Sequence, residues 1–164
     1  MDVDFRWRGA FTDADVNALH ADGFDHPVLD IAWNDQVARH SLGWVCAYEG
    51  ERLVGFANVA WDGGVHAFVV DTLVDAGARH RGIGTGLVEA AERGARAAGC
   101  EWLHVDFEEE LRGFYVEACG FAPTSAAVIA LGEVEAELPD GDEPQLADAT
   151  PTTGLLSTTP PSDP

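Results

Sequence analysis

Residues 65–86, V-H-A-F-V-V-D-T-L-V-D-A-G-A-R-H-R-G-I-G-T-G, constrain the fold of this chain more than any other segment. They open with an apolar run rich in Val, Phe and Leu, long enough for one buried strand. The run breaks at Asp75, Ala76 and Gly77, then passes into a basic, glycine-rich turn over residues 79–86. A helical pattern follows, with Leu87, Val88, Ala91, Ala95 and Ala98 near one face of a 3.6-residue period. Strand, turn and helix start together form an anion cradle. The turn exposes backbone N–H groups, the first helical N–H groups lack internal partners, and the helix dipole favours negative charge there. Glycines allow a phosphate to approach the backbone closely. Arg79 and Arg81 add charge-assisted donors.

Two familiar phosphate motifs are excluded. A P-loop requires a lysine where Ile83 stands, and a dinucleotide fingerprint requires a third glycine where Leu87 stands. What fits is R-x-x-G-x-G, read as Arg79-His80-Arg81-Gly82-Ile83-Gly84 directly after a strand ending in Leu-Val.

The rest of the chain supplies a frame for this unit. Residues 3–8 alternate as a first strand. Thr12, with Asp13 and Asp15 behind it, caps a helix through Val16 and Leu19 that ends near Gly23. Residues 21–27 read as a loop and residues 29–40 as a second helix. Residues 42–48 and 53–61 form a hairpin around Glu49-Gly50-Glu51, and Asp62-Gly63-Gly64 turns into the central strand. Gly99 closes the helix after the cradle. Residues 101–107 alternate as a strand, residue 108 onward is helical, and residues 121–131 supply a last strand or hairpin arm. The order β-α-α-β-β-β-α-β-α-β predicts an α/β (α+β) domain. Its mixed, mostly antiparallel sheet carries helices on both faces. Residues 132–164 hold eight acids, six prolines and no basic residue, and read as a disordered acidic tail. The expected division is a folded domain at 1–131 and a tail at 132–164.

Charge narrows the partners. The 164 residues carry 29 acids against nine basic residues, all arginine, for a formal net charge of −20. Such a surface excludes nucleic acid and anionic membranes and favours cationic amines. An acidic, lysine-free surface also fits adaptation to high salt, so a halophilic source is expected. Cys46, Cys100 and Cys119 match no zinc or disulfide spacing, and no metal is expected. The first residues, Met1-Asp2-Val3-Asp4, lack the pattern of a signal peptide, and no apolar run approaches a membrane span, so a cytoplasmic location is expected.

A second motif lies at residues 114–121, F-Y-V-E-A-C-G-F. It resembles the F-Y-x-x-x-G-F region of the GNAT N-acetyltransferases, with one residue more between Tyr115 and Gly120. R-x-x-G-x-G resembles the acetyl-CoA signature of the same family. The resemblance runs from Phe5 to about residue 131. It implies the GNAT acyl-CoA N-acyltransferase fold, with a splay between the fourth and fifth strands. It implies acetyl-CoA as cosubstrate, with pantetheine along the backbone of Thr72, Leu73 and Val74. The pyrophosphate would rest on the amides of His80, Arg81, Gly82, Ile83, Gly84 and Thr85. Where many members carry an asparagine seven residues before the tyrosine, this chain has Glu108. Dimers are common in the family, so a homodimer is an expected option.

Acetyl transfer to an amine needs a base for the ammonium proton and an acid for the leaving thiolate. Tyr115, with a phenol pKa of about 10, is the candidate acid; its alternative is a core tyrosine on the apolar helix face. Asp71 is the leading candidate base because it interrupts an apolar run, where an unpaired carboxylate is costly. A bulge at this point would re-aim it. Simple alternation puts it on one face with Val69 and Leu73. Glu108, His104 and His66 follow as bases. Asp106 either lines the acceptor site or caps the next helix in a box with Glu109. The acceptor pocket is expected to draw on Phe24, His26, Trp33 and Trp61, with His66 and Asp106; each tryptophan is equally well a core residue. The expected function is acetyl-CoA-dependent N-acetyltransfer to a small-molecule or protein amine. The alternative is a non-catalytic acyl-CoA sensor on the same fold.

Overall fold

The computed structural model describes residues 2–129 and 131. The chain divides into one unit at Met1–Thr124 and a second at Ser125–Pro164. The described residues of the second unit carry no helix or strand. The tail expected at 132–164 lies outside the described residues.

Five strands form one sheet in sequential order: β1 (Val3–Trp7), β2 (Ser41–Glu49), β3 (Arg52–Trp61), β4 (His66–Val74) and β5 (Trp102–Val105). The first four are antiparallel and β5 joins β4 in parallel. Helices α1 (Asp13–Phe24) and α2 (Trp33–His40) cover one face, and α3 (Ile83–Ala97) covers the other. This is the mixed, two-faced sheet read from the sequence.

Alternation along each strand builds two separate cores. On β2, Val45 and Ala47 pack against Leu87, Ala91 and Ala95 of α3, while Cys46 and Tyr48 pack against Val16, Leu19, Trp33 and Val37 of α1 and α2. Phe56 is fully buried in the second core and meets Phe11 and Trp33 edge-on. Full burial of such a ring contributes roughly 1.5–3 kcal/mol. Thr12 caps α1 through its side chain, which accepts from Asp15 N at 3.1 Å.

Three expectations are corrected. The second helix begins at Trp33, not residue 29; residues 27–32 form no helix, and Pro27 and Asp30 favour a turn there. The segment after β5 is not one α-helix. It is a 3-10 turn, Glu109–Leu111, followed by a π-helix, Gly113–Ala118. Residues 121–129 and 131 form no strand. Pro123 lacks a ladder donor, and the small residues from 124 to 127 offer little to bury.

Candidate active site

The site is built on β4. It pairs with β3 along its length but with β5 only over residues 66–69. From 70 to 74 its outer edge has no strand partner among the described residues, so β4 and β5 part. This is the expected splay, and it leaves backbone N–H and C=O groups open for an extended ligand.

A bulge sits at the point of parting. Asp71 has φ +52, and the β3–β4 register slips between Phe56 and Asn58. Aspartate tolerates this left-handed conformation better than a β-branched residue. The slip reverses the alternation: Ala67 and Val69 belong to the α3-side core, but Leu73 belongs to the α1/α2-side core. The expectation that Asp71 shares a face with both Val69 and Leu73 is therefore corrected. Asp71 is turned toward α1, where His20 Nε2 lies 3.9 Å from Oδ1. Burial pushes the Asp71 carboxyl pKa up; a hydrogen bond from Asn58 and the charge of His20 offset part of this. Asn58 is buried, and its Oδ1 accepts from Ser41 Oγ at 2.5 Å, which leaves its NH2 for Asp71.

The cradle follows β4. A 3-10 turn at Ala76–Ala78 leads through Arg79 and His80 (φ +59) to Gly82, the N-cap of α3 at φ +79. That angle favours glycine. The first helical bond runs from Gly86 N to Gly82 O at 3.0 Å. The N–H groups of Ile83, Gly84 and Thr85 therefore stay outside the ladder and mark the anion end of the helix dipole. Gly84 has a second reason to be glycine. A Cβ there would stand 3.0 Å from Phe114 Cζ, so the ring fills the space that a side chain would take. Both arginines have protein partners. Arg79 donates to Val74 O at 3.1 Å and to Asp22 Oδ2 at 2.9 Å; Arg81 donates to Glu49 Oε1 at 2.6 Å. Arg79 thereby ties the end of α1 to the end of β4.

Tyr115 projects from the π-helix and is 6% exposed. It stacks on Phe107 at 5.2 Å and meets Phe114 edge-on at 4.6 Å. Burial raises its phenol pKa, and the Thr72 hydroxyl beside it opposes the rise. Thr72 Oγ1 is itself buried with no hydrogen-bond partner of good geometry among the described residues. A buried orphan hydroxyl on the open edge of β4 is what a missing polar ligand would leave behind. With the free amides of α3, it offers polar groups that a phosphate-bearing, extended ligand could pair with. The π-helix also accounts for the extra residue before Gly120. Its wider turn, closed by Cys119 N to Phe114 O at 2.9 Å, takes up one residue more than an α-turn.

The remaining predicted residues fall into three places. Phe24 and His26 lie at the end of α1 beside His20: Phe24 is 4.7 Å from the His20 ring, and His26 Nε2 is 2.8 Å from His20 Nδ1. His66 and His104 meet on the β4–β5 pair, Nδ1 to Nε2 at 2.8 Å, with Phe68 stacked on His104. Trp61 is exposed at the end of β3, its indole N–H donating to Gly64 O. Two readings are corrected. Trp33 is 2% exposed and donates to Asn17 Oδ1, which assigns it to the core. The box of Asp106 with Glu109 does not form; Glu108 is the N-cap residue, without a side-chain cap bond, and both Asp106 and Glu108 are exposed. His20 was missed by the sequence reading. Its i to i+4 spacing puts it on one helix face with Phe24 but does not announce the contact with Asp71.

Strand, glycine-rich turn and helix stand in this order on a sheet that opens beside them. The sequence model of the acetyltransferase (GNAT) family matches residues 7–121, and the chain belongs to that family. A probable glucosamine 6-phosphate N-acetyltransferase 2 of Oryza sativa subsp. japonica is 42% identical over 59 residues, 36% of this chain and 35% of that protein. The match thus spans about a third of that curated relative's length. Glucosamine-6-phosphate N-acetyltransferase from Arabidopsis thaliana superposes with a TM-score of 0.62 at 17% identity, covering 79% of this chain and 98% of that one. The aminoglycoside N-acetyltransferase AAC(6')-Iy, bound to a CoA-linked bisubstrate analogue, superposes at 0.65 with 19% identity, covering 82% and 100%. At these identities the structural likeness is one of fold. No helix among the described residues is long and apolar enough to cross a membrane.

Proposed function

We propose that the protein transfers acetyl from acetyl-CoA to the primary amine of a cationic small molecule by direct attack on the thioester. The observation that carries this reading is the orphaned Thr72 hydroxyl beside buried Tyr115, at the open edge of β4 that leads into the free amides of α3. Thr72, Leu73 and Val74 would pair with the pantetheine arm, and the amides from His80 to Thr85 would hold the pyrophosphate. The carrier supplies an activated thioester. Tyr115 would donate its phenol proton to the departing sulfur, and Asp71 would take the ammonium proton. An amine without phosphate suits the acceptor side better than a phosphosugar. Asp71 faces that side, and the nearby Arg79 and Arg81 are each held by a carboxylate. The aminoglycoside and aminosugar relatives are consistent with a polyamine sugar as acceptor. Calorimetric titration of the full chain with acetyl-CoA, followed by thiol release over a panel of amines, tests the reading. Micromolar binding with amine-dependent thiol release is expected. Tight binding without release to any amine would favour an acyl-CoA sensor, and no binding by folded protein would overturn the cofactor assignment.

A further inference from the structure

The end of α1 and the bulge of β4 hold a chain of four groups whose proton positions are determined by its far end. Pro27 O can only accept. His26 Nδ1 lies 2.7 Å from it, so His26 carries its proton on Nδ1 and, as a neutral ring, presents a bare Nε2. That Nε2 lies 2.8 Å from His20 Nδ1, so His20 in turn carries its proton on Nδ1. The neutral His20 ring is left with its lone pair on Nε2, and this atom faces Asp71 Oδ1 at 3.9 Å. Two groups that both bear lone pairs oppose each other there, and the pair is electrostatically satisfied only when one proton lies between them.

We infer that His26 fixes His20 with a bare Nε2 toward Asp71, and that His20 and Asp71 together form a one-proton acceptor that draws the ammonium proton from the acceptor amine. The inference rests on the assignment of Asp71 as base made above and deepens it. His20 and His26 act through Asp71 and are positioning residues. From β4, Asp71 faces His20; from the loop after α1, His26 does. The other neighbours are uncharged: Trp33 of α2 lies 5.3 Å from the His20 ring, Phe24 flanks it, and Asn58 of β3 faces Asp71. Burial lowers the pKa of His20, and Asp71 opposes that shift. Burial raises that of Asp71, so the two shifts bring the groups toward each other.

The step balances as follows. An ammonium proton moves to the proton-free pair, and the nitrogen lone pair forms the new C–N bond. The C–S bond breaks with its electrons on sulfur, which takes the Tyr115 hydroxyl proton. The second amine proton restores the phenol through solvent. The pair then releases its proton to solvent, so one ammonium and one thioester give one amide, one thiol and one free proton.

The test reads protons directly. Long-range 1H–15N correlation spectra of the uniformly labelled full chain at pH 8 should show His20 and His26 both protonated on Nδ1. His20 protonated on Nε2 would overturn the inference. The titration midpoint of His20, followed at its Cε1 proton, should fall by about one unit or more in Asp71→Asn, the size expected when a carboxylate within ion-pair range is lost. An unchanged midpoint would overturn it as well. His26→Phe removes the acceptor and should free the His20 tautomer, whereas His26→Gln keeps an acceptor oxygen and should preserve it. Failure of the base assignment reads separately: Asp71→Asn would then retain amine-dependent thiol release, whatever the spectra show.

Discussion

At the residue scale, Asp71 shows how one position carries both cost and use. Its folded pKa is raised by burial, so the folded state favours the neutral carboxyl. The sign follows. The stability of the buried neutral form is fully present below the unfolded value of about 3.9 and is lost as pH rises through the higher folded value. Asp71→Asn should therefore gain in melting temperature over wild type as pH climbs from 4 to 8, with little gain at the acid end; parallel curves across that range would contradict the argument. Tyr115→Phe keeps the ring contacts with Phe107 and Phe114 and removes only the hydroxyl. Turnover should fall about 10²-fold or more, the usual share of a positioned proton donor, with acetyl-CoA affinity nearly unchanged. Calorimetry beside steady-state kinetics separates the two, and an unaltered kcat would return Tyr115 to a packing role. The need of Asp71 for a partner was legible in the sequence, because a lone carboxylate in V-V-D-T-L-V is costly without one. His20 was not. Its significance comes from the bulge turning Asp71 to α1, and nothing in the pattern of α1 announces that contact.

At the element scale, the unit of β4, turn and α3 was the most readable part of the chain, since strand, glycines and helix each leave a separate local signal. What the glycines do was less readable. Gly82 is needed for its angle, whereas Gly84 is needed because Phe114 occupies the space of its side chain. Gly82→Ala should cost about 1–2 kcal/mol, the penalty for a Cβ in the left-handed region, measurable by urea denaturation. Gly84→Val should push Phe114 out and carry Tyr115 with it. Loss of turnover and weaker acetyl-CoA binding are expected together, and wild-type kinetics would show that the ring can give way freely. The helix after β5 was misread because Leu111, Phe114, Tyr115 and Ala118 do fall at α-helical spacing. The extra residue before Gly120 is absorbed by a π-turn instead, and periodicity cannot distinguish a 3-10 turn followed by a π-turn from one regular helix.

At the scale of the whole molecule, the mixed sheet with helices on both faces follows from alternation and turn chemistry, and the sequence carries those strongly, whereas the splay was implied only by the family resemblance. The formal charge of −20 acts over the same range. At about 0.01 M salt the screening length is about 30 Å, and at 1 M it is about 3 Å. Self-repulsion should therefore be strong in the first condition and nearly gone in the second. The melting temperature is expected to rise steadily with sodium chloride between these limits, and a flat response would mean that the acids are already offset by local pairing. The open edge of β4 has a bearing on the protein's lifetime in a cell. A sheet margin with unpaired backbone is a template for another chain, and proteins ordinarily cover, shorten or charge such margins. Among the described residues, 70–74 have no strand partner on the side where the acyl carrier is proposed to lie. The carrier would then be a lid on an adhesive seam as well as a reactant. Removing it would leave that seam open to self-association.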